Sequence, residues 1–203
     1  MSDNRFLIIN IREYLALGTD EEAGEPALVK LLSGFSCPQN KDVEYFLKEN
    51  AIEFTKKSQS VTYLVFSNID GALLGYFSLT LKPLIVKGTS ISKTISKKLQ
   101  RISQFNKEIG TYTMSAYLIA QLGKNFSNDL NKRITGEELM NLAMNTIKEV
   151  QYKVGGIVVF LEANDKEKLK LFYEERNFKE FDSRMTFSKN GEEYKLLQYL
   201  KVL

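Results

Sequence analysis

The stretch with the clearest chemical meaning is Thr135-Gly136-Glu137-Glu138, a threonine followed three residues later by a glutamate. That spacing is a capping box. The Thr135 hydroxyl accepts from the amide of Glu138 while the Glu138 carboxylate reaches back, so a helix begins here. The first amides of a helix lack carbonyl partners within it, and together with the helix dipole they form an anion site that a diphosphate can occupy on backbone donors alone. Lys132 and Arg133 would add positive charge beside it, and the alternative is an ordinary capped helix start. A second basic feature lies between Thr89 and Gly110, where Lys93, Lys97, Lys98, Arg101 and Lys107 stand against one acid, Glu108. Such lysines either give salt-dependent, sequence-blind affinity for nucleic-acid phosphates or form a solvated face.

Composition removes other chemistries. The chain has no histidine, so Ser-His and Cys-His nucleophile pairs lack their base, and its one cysteine, Cys37, can form neither an internal disulfide nor a zinc site of ordinary type. No metal is expected. With 28 basic and 25 acidic side chains the net charge of +3 is too mild to claim nucleic acid by itself. The 203 residues read as a single domain, 1–203, with a globular balance of apolar and charged residues. No apolar run approaches the roughly 20 residues that span a bilayer, and Met1-Ser2-Asp3-Asn4-Arg5 opens a strand-like stretch rather than a signal peptide. A cytoplasmic protein with no membrane partner is the expectation.

The elements that would position these residues follow from periodicity. Phe6 to Ile11 reads as a first strand, and Ala27 to Leu32 as a short helix. From Asp42, the apolar positions Val43, Phe46, Leu47, Ala51 and Phe54 mark one helical face. Val61 to Phe66 and Leu73 to Leu81 read as strands joined by an Asn68-Ile69-Asp70-Gly71 turn, with Pro83 ending or edging the second. Ile91, Ile95, Leu99, Ile102 and Phe105 keep a helical period between Thr89 and Gly110. Thr113 to Lys124 is a long strand that leads through a polar stretch to the capped helix, whose stripe is Leu139, Met140, Ala143, Ile147 and Val150. Gly155-Gly156 precede a buried strand, Ile157 to Leu161, and Lys166 to Arg176 forms a short helix. Two strands, Met185 to Ser188 and Tyr194 to Leu200, close the chain around an Asn190-Gly191 turn.

That order of parts resembles the GNAT family of acyl-CoA-dependent N-acetyltransferases. The residues that carry the resemblance are Leu118-Ile119-Ala120-Gln121-Leu122-Gly123-Lys124-Asn125, then Thr135-Gly136-Glu137-Glu138-Leu139-Met140, then Leu171-Phe172-Tyr173-Glu174-Glu175-Arg176-Asn177-Phe178. The resemblance covers most of the chain from Phe35 onward. It implies an α/β fold with a GNAT-like mixed central twisted sheet flanked by helices, and acetyl-CoA as acetyl donor to a primary amine. The loop Asn131-Lys132-Arg133-Ile134-Thr135-Gly136-Glu137 would hold the donor's diphosphate. Aligned on Gly136, the family's loop has its first glycine where this chain has Ile134, and Asn131 stands where Gln or Arg is usual.

The resemblance further implies that the strand ending Leu122-Gly123-Lys124 splays from its neighbour and pairs with the pantetheine amide. Gly123 would admit close approach of the ligand; a glycine at a simple bulge is the alternative. Tyr173 is the implied general acid, protonating the departing thiolate, and its alternative is core packing with Leu169 and Phe172. Asn177 replaces the usual glycine and, as the next best left-handed residue, keeps the turn. Phe35-Ser36-Cys37, Thr62 to Val65 and Gly75 to Leu79 are similar to the branch that includes tRNA-acetylating toxins, so tRNA is an implied partner through the basic segment. The rival reading is a non-catalytic GNAT-fold module that binds CoA, RNA or protein.

Overall fold

The computed structural model describes residues 5–187 and 191–203. Met1 to Asn4, Ser188 and Asn190, which figure in the sequence reading, lie outside them. Among the described residues, the strands are β1 (Phe6–Asn10), β2 (Val61–Ser67), β3 (Leu73–Lys87), β4 (Phe105–Asn106), β5 (Thr111–Lys124), β6 (Val158–Asn164), β7 (Lys179–Phe187) and β8 (Glu193–Val202). The α-helices are α1 (Ile11–Leu15), α2 (Glu25–Ser33), α3 (Lys41–Tyr45), α4 (Ala51–Lys56), α5 (Lys93–Leu99), α6 (Gly136–Val154) and α7 (Glu167–Glu175). The sheet runs β1-β2-β3-β5-β6-β8-β7 with β4 on β5. This is the α/β class expected. No helix among the described residues is long and apolar enough to cross a membrane.

The chain divides into two compact units, Met1–Thr80 with Ile119–Lys148 and Leu81–Leu118 with Glu149–Leu203, so β3 and β5 contribute to both. In the first unit, β1 and β2 pair antiparallel from Phe6 opposite Ser67 to Asn10 opposite Tyr63. The β2–β3 hairpin closes at Asn68 to Gly71 as expected, with Gly71 at φ +69°. Residues Val61 and Leu79 are the last opposed pair. Pro83 therefore lies beyond the end of β2, where its missing N–H costs that ladder nothing.

The helix expected from Asp42 is present but interrupted. The Asn40 side chain caps α3 by accepting from the amides of Asp42 and Val43, and a π turn at Phe46–Asn50 separates α3 from α4. A π turn inserts a residue and shifts the phase of the buried face. Val43, Phe46, Leu47 and Ala51 are buried as read, but after the turn Thr55 is buried at 2% exposure and Phe54 is left 36% exposed.

In the second unit, β8 pairs antiparallel with both β6 and β7 over a core that includes Val86, Leu99, Tyr112, Phe160 and Leu200. The single amphipathic helix expected between Thr89 and Gly110 is corrected to the seven residues of α5. Side chains take over the backbone beyond it: Ser103 Oγ donates to Thr113 O and accepts from the Thr113 amide, and Asn106 Oδ1 accepts from the amides of Glu108 and Ile109. Ser and Asn compete with helix in this way. The last strands are also longer than read, and β7 starts at Lys179 rather than Met185.

Candidate functional site

In the first unit, the loop that leaves β5 is organised by two side chains. Asn125 is buried; its amide nitrogen donates to Leu73 O at 2.9 Å and its Oδ1 accepts from the amides of Ser36 and Ser127, both at 3.1 Å. Lys124 turns its ammonium into the loop and donates to Asn131 O at 2.7 Å and Ile134 O at 3.0 Å. Asn128 and Asp129, at φ 49° and 60°, bend the chain between them. Ile134, which the resemblance sets against the first loop glycine of the GNAT family, is 1% exposed and packs with Val65, Leu74, Phe77 and Leu139. Its side chain is a core residue, and its carbonyl is tied to Lys124.

The capping box forms as read. Glu138 N donates to Thr135 Oγ1 at 3.1 Å and Thr135 N donates to the Glu138 carboxylate at 2.8 Å, while Leu139 N to Thr135 O at 3.1 Å starts the ladder of the 19-residue α6. The neighbouring cations are not unspent charge. Arg133 donates to both carboxylate oxygens of Asp70, at 2.9 and 2.8 Å, and to Ser67 Oγ, while Lys132 pairs with Asp129 at 3.1 Å. Arg133 and Ser67 hold the Asp70 carboxyl well below the usual carboxylate range. Glu138 is held low by the Thr135 amide and by Arg5, 2.6 Å away. Charge at this loop is thus internally matched, and what it offers a diphosphate is the backbone at the start of α6, around Gly136, aligned with the helix dipole.

Gly123 has a packing reason for being glycine. A Cβ there would lie 2.4 Å from Val43 Cγ1 and 3.0 Å from a Tyr76 ring carbon, so the space is filled from within the unit. A Cβ at Gly75 would in turn lie 2.7 Å from Gly123 O. Leu122 is half-buried against the cluster that holds Ile134. Tyr76 donates to Val43 O at 2.6 Å, fixing the residue that fills the gap.

In the second unit, Tyr173 sits on α7 at 8% exposure, with ring centroids 5.2 Å from Phe172, 6.0 Å from Phe178 and 5.3 Å from Tyr199. Burial, then the neighbouring Tyr199, pushes its phenol up to about 12. Asn177 adopts the left-handed conformation at φ 62°, and the amide of Phe178 returns to Tyr173 O at 3.0 Å, so the helix end forms as expected. A further network was not legible: Glu162 on β6 accepts from Arg184 on β7 at 2.8 and 2.5 Å and from Gln198 on β8 at 2.7 Å.

No protein-family profile matches the chain, and no curated protein matches it. Solved structures do. AtaT complexed with acetyl-methionyl-tRNAfMet superposes with a TM-score of 0.61 at 17% identity, covering 95% of this chain and 93% of that one. A tyrosine-to-phenylalanine mutant of the AtaT toxin, bound to the C-terminus of the antitoxin AtaR and acetyl-CoA, gives 0.58 at 16% identity over 98% and 93% of the two chains. A tyrosine-to-phenylalanine mutant of KacT gives 0.61 at 22% identity over 97% and 95%. The likeness is one of fold, and the fold is the GNAT-like one that the order of parts implied.

Proposed function

We propose that the protein is an acetyl-CoA-dependent N-acetyltransferase whose acceptor is the amine of an aminoacyl-tRNA. The observation that carries this reading is the whole-chain likeness in fold to a toxin complexed with acetyl-methionyl-tRNAfMet and, in another structure, with acetyl-CoA. Acetyl-CoA would supply an acetyl group activated as a thioester. The start of α6, with the loop Asn131 to Glu137, holds the diphosphate through backbone amides, and the backbone of Leu122, Gly123 and Lys124 at the end of β5 pairs with the pantetheine. Lys124 does a second job: by occupying the carbonyls of Asn131 and Ile134 it keeps loop acceptors away from the anion.

The amine nitrogen bonds to the acetyl carbonyl carbon, the carbon–sulfur bond breaks, and Tyr173 donates to the leaving sulfur. A phenol raised to about 12 stays in its acid form at neutral pH. Because a thiol is the stronger acid, the phenol acts as a hydrogen-bond donor whose interaction strengthens as negative charge builds on sulfur and is strongest once the carbon–sulfur bond has broken. With no histidine in the chain, the amine's proton leaves to a carboxylate or water, or the amine arrives neutral.

The test is a thermal shift. A ligand that binds only the folded state stabilises it by about 2.7 kcal/mol at a hundredfold excess over Kd, so acetyl-CoA should raise Tm by several degrees. An unmoved Tm with no calorimetric heat, for both acetyl-CoA and CoA, would overturn the reading.

A further inference from the structure

The second unit contains a cleft of about 670 Å³ between the start of α5 and the ends of β7 and β8. Its apolar part is Ile91, Ile95, Leu200 and Val202, and Ser90 and Thr94 add hydroxyls. Three cations line it, Lys98, Lys179 and Lys201, against one carboxylate, Glu180. Lys179 lies opposite Leu200 in the β7–β8 ladder, which brings it one residue from Lys201 on the neighbouring strand. Lys201 is anchored, donating to Arg176 O at 2.9 Å with its ammonium 5.6 Å from the Phe178 ring centroid. Among the described residues Lys98 and Lys179 have no ion pair, in contrast to Lys132 and Arg133, whose charge is matched by Asp129 and Asp70. The positive charge of the loop before α6 is therefore neutralised within the protein, while at Lys98 and Lys179 it is open to a partner.

We infer that the cleft is an RNA-binding groove. Lys98 and Lys179 neutralise backbone phosphates at its rim, and the half-buried side chains of Ile91, Ile95 and Val202 take the sugar and base faces of one or two nucleotides, while Leu200, at 1% exposure, belongs to the core. Lysines at a phosphate act as point charges and read no sequence, so the groove serves to hold an RNA strand rather than to choose among sequences. An apolar floor beneath unpaired cations suits a strand whose anionic backbone and apolar faces lie side by side. The inference rests on the reading that the acceptor is carried by RNA, and it names a part of the surface that holds it.

The experiment measures binding of deacylated tRNA by the full chain as salt is varied, comparing the wild type with Lys98→Glu/Lys179→Glu and with a control of equal charge change, Lys148→Glu/Lys153→Glu, on the exposed side of α6. The cleft variant should lose at least tenfold in affinity at low salt and about two units of log–log salt slope, while the control stays within about threefold of wild type. Equal losses in both variants, or wild-type affinity in the cleft variant, would overturn the groove. Wild-type binding of an acidic peptide but not of tRNA would overturn it as well. The acetyl-CoA thermal shift separates the two proposals: if it persists in a wild type that ignores tRNA, the groove and the RNA acceptor fall and the acetyltransferase stands.

Discussion

The ammonium of Lys124 donates to the carbonyl of Ile134 at 3.0 Å, tying the last residue of β5 to a core residue two positions before the start of α6. The loop is thus held from beneath by a side chain, and Ile134 is held from the other side by the core. Replacing the lysine with methionine keeps most of its stem and removes the donor. Lys124→Met should raise the Kd for acetyl-CoA by about tenfold or more, since carbonyls left without a donor cost roughly 1–3 kcal/mol and the loop will rearrange to satisfy them. Calorimetric titration reads this, and an unchanged Kd would remove Lys124 from the loop's architecture.

Asp70 and Glu138 tie acid stability to the same loop. Both carboxyls are lowered in the folded state, Asp70 chiefly by Arg133 and Glu138 chiefly by the Thr135 amide. A lowered folded-state value means stabilisation that is present above the unfolded value and lost as pH falls through the folded one. From their ordinary values of 3.8 and 4.5, the window opens below about pH 4.5 and deepens toward pH 2. In Asp70→Asn and Glu138→Gln the fall of Tm with pH across that window should be shallower than in wild type, as followed by circular dichroism.

At Gly123 the expected effect is steric. A methyl group 2.4 Å from Val43 Cγ1 must displace it, and overpacking of this kind costs roughly 1–3 kcal/mol. Gly123→Ala should therefore destabilise in urea unfolding, and Val43→Ala in the same chain should recover part of the loss. Additive losses in the double mutant would show that the two residues do not share the space.

Tyr173→Phe keeps the ring against Phe172, Phe178 and Tyr199 and deletes only the hydroxyl. As a general acid the hydroxyl should be worth about 10²- to 10⁴-fold in kcat, with acetyl-CoA affinity little changed. In wild type, loss of this donor belongs near pH 12, so no fall in kcat at moderately alkaline pH should trace to it. Unchanged turnover in the variant would assign Tyr173 to packing.

Features written in neighbouring residues were legible before any coordinates. The α6 start followed from Thr135 and Glu138, the left-handed end of α7 from Asn177, and the β2–β3 turn from Asp70-Gly71. Periodicity failed where a few side-chain bonds redirect the backbone. The apolar spacing from Ile91 to Phe105 persists, yet Ser103 and Asn106 stop the helix after Leu99. The π turn at Phe46–Asn50 left no mark in the apolar pattern and exchanged Phe54 for Thr55 in the core. At the site, Ile134 could be read as a departure, but its burial could not. The partnership of Arg133 with Asp70, 63 residues away, depends on the fold that brings the β2–β3 turn to the loop. The same holds for Glu162 with Arg184 and Gln198.

The most direct measurement is transfer of radiolabelled acetyl from acetyl-CoA to methionyl-tRNA, followed as acid-precipitable label on the RNA, with deacylated tRNA as the control. The account predicts time-dependent label on the aminoacylated tRNA alone, strongly reduced in Tyr173→Phe. Acetyl-CoA binding with no transfer to aminoacyl-tRNA, peptide or small amine would contradict it and leave a binding module with the fold of a transferase.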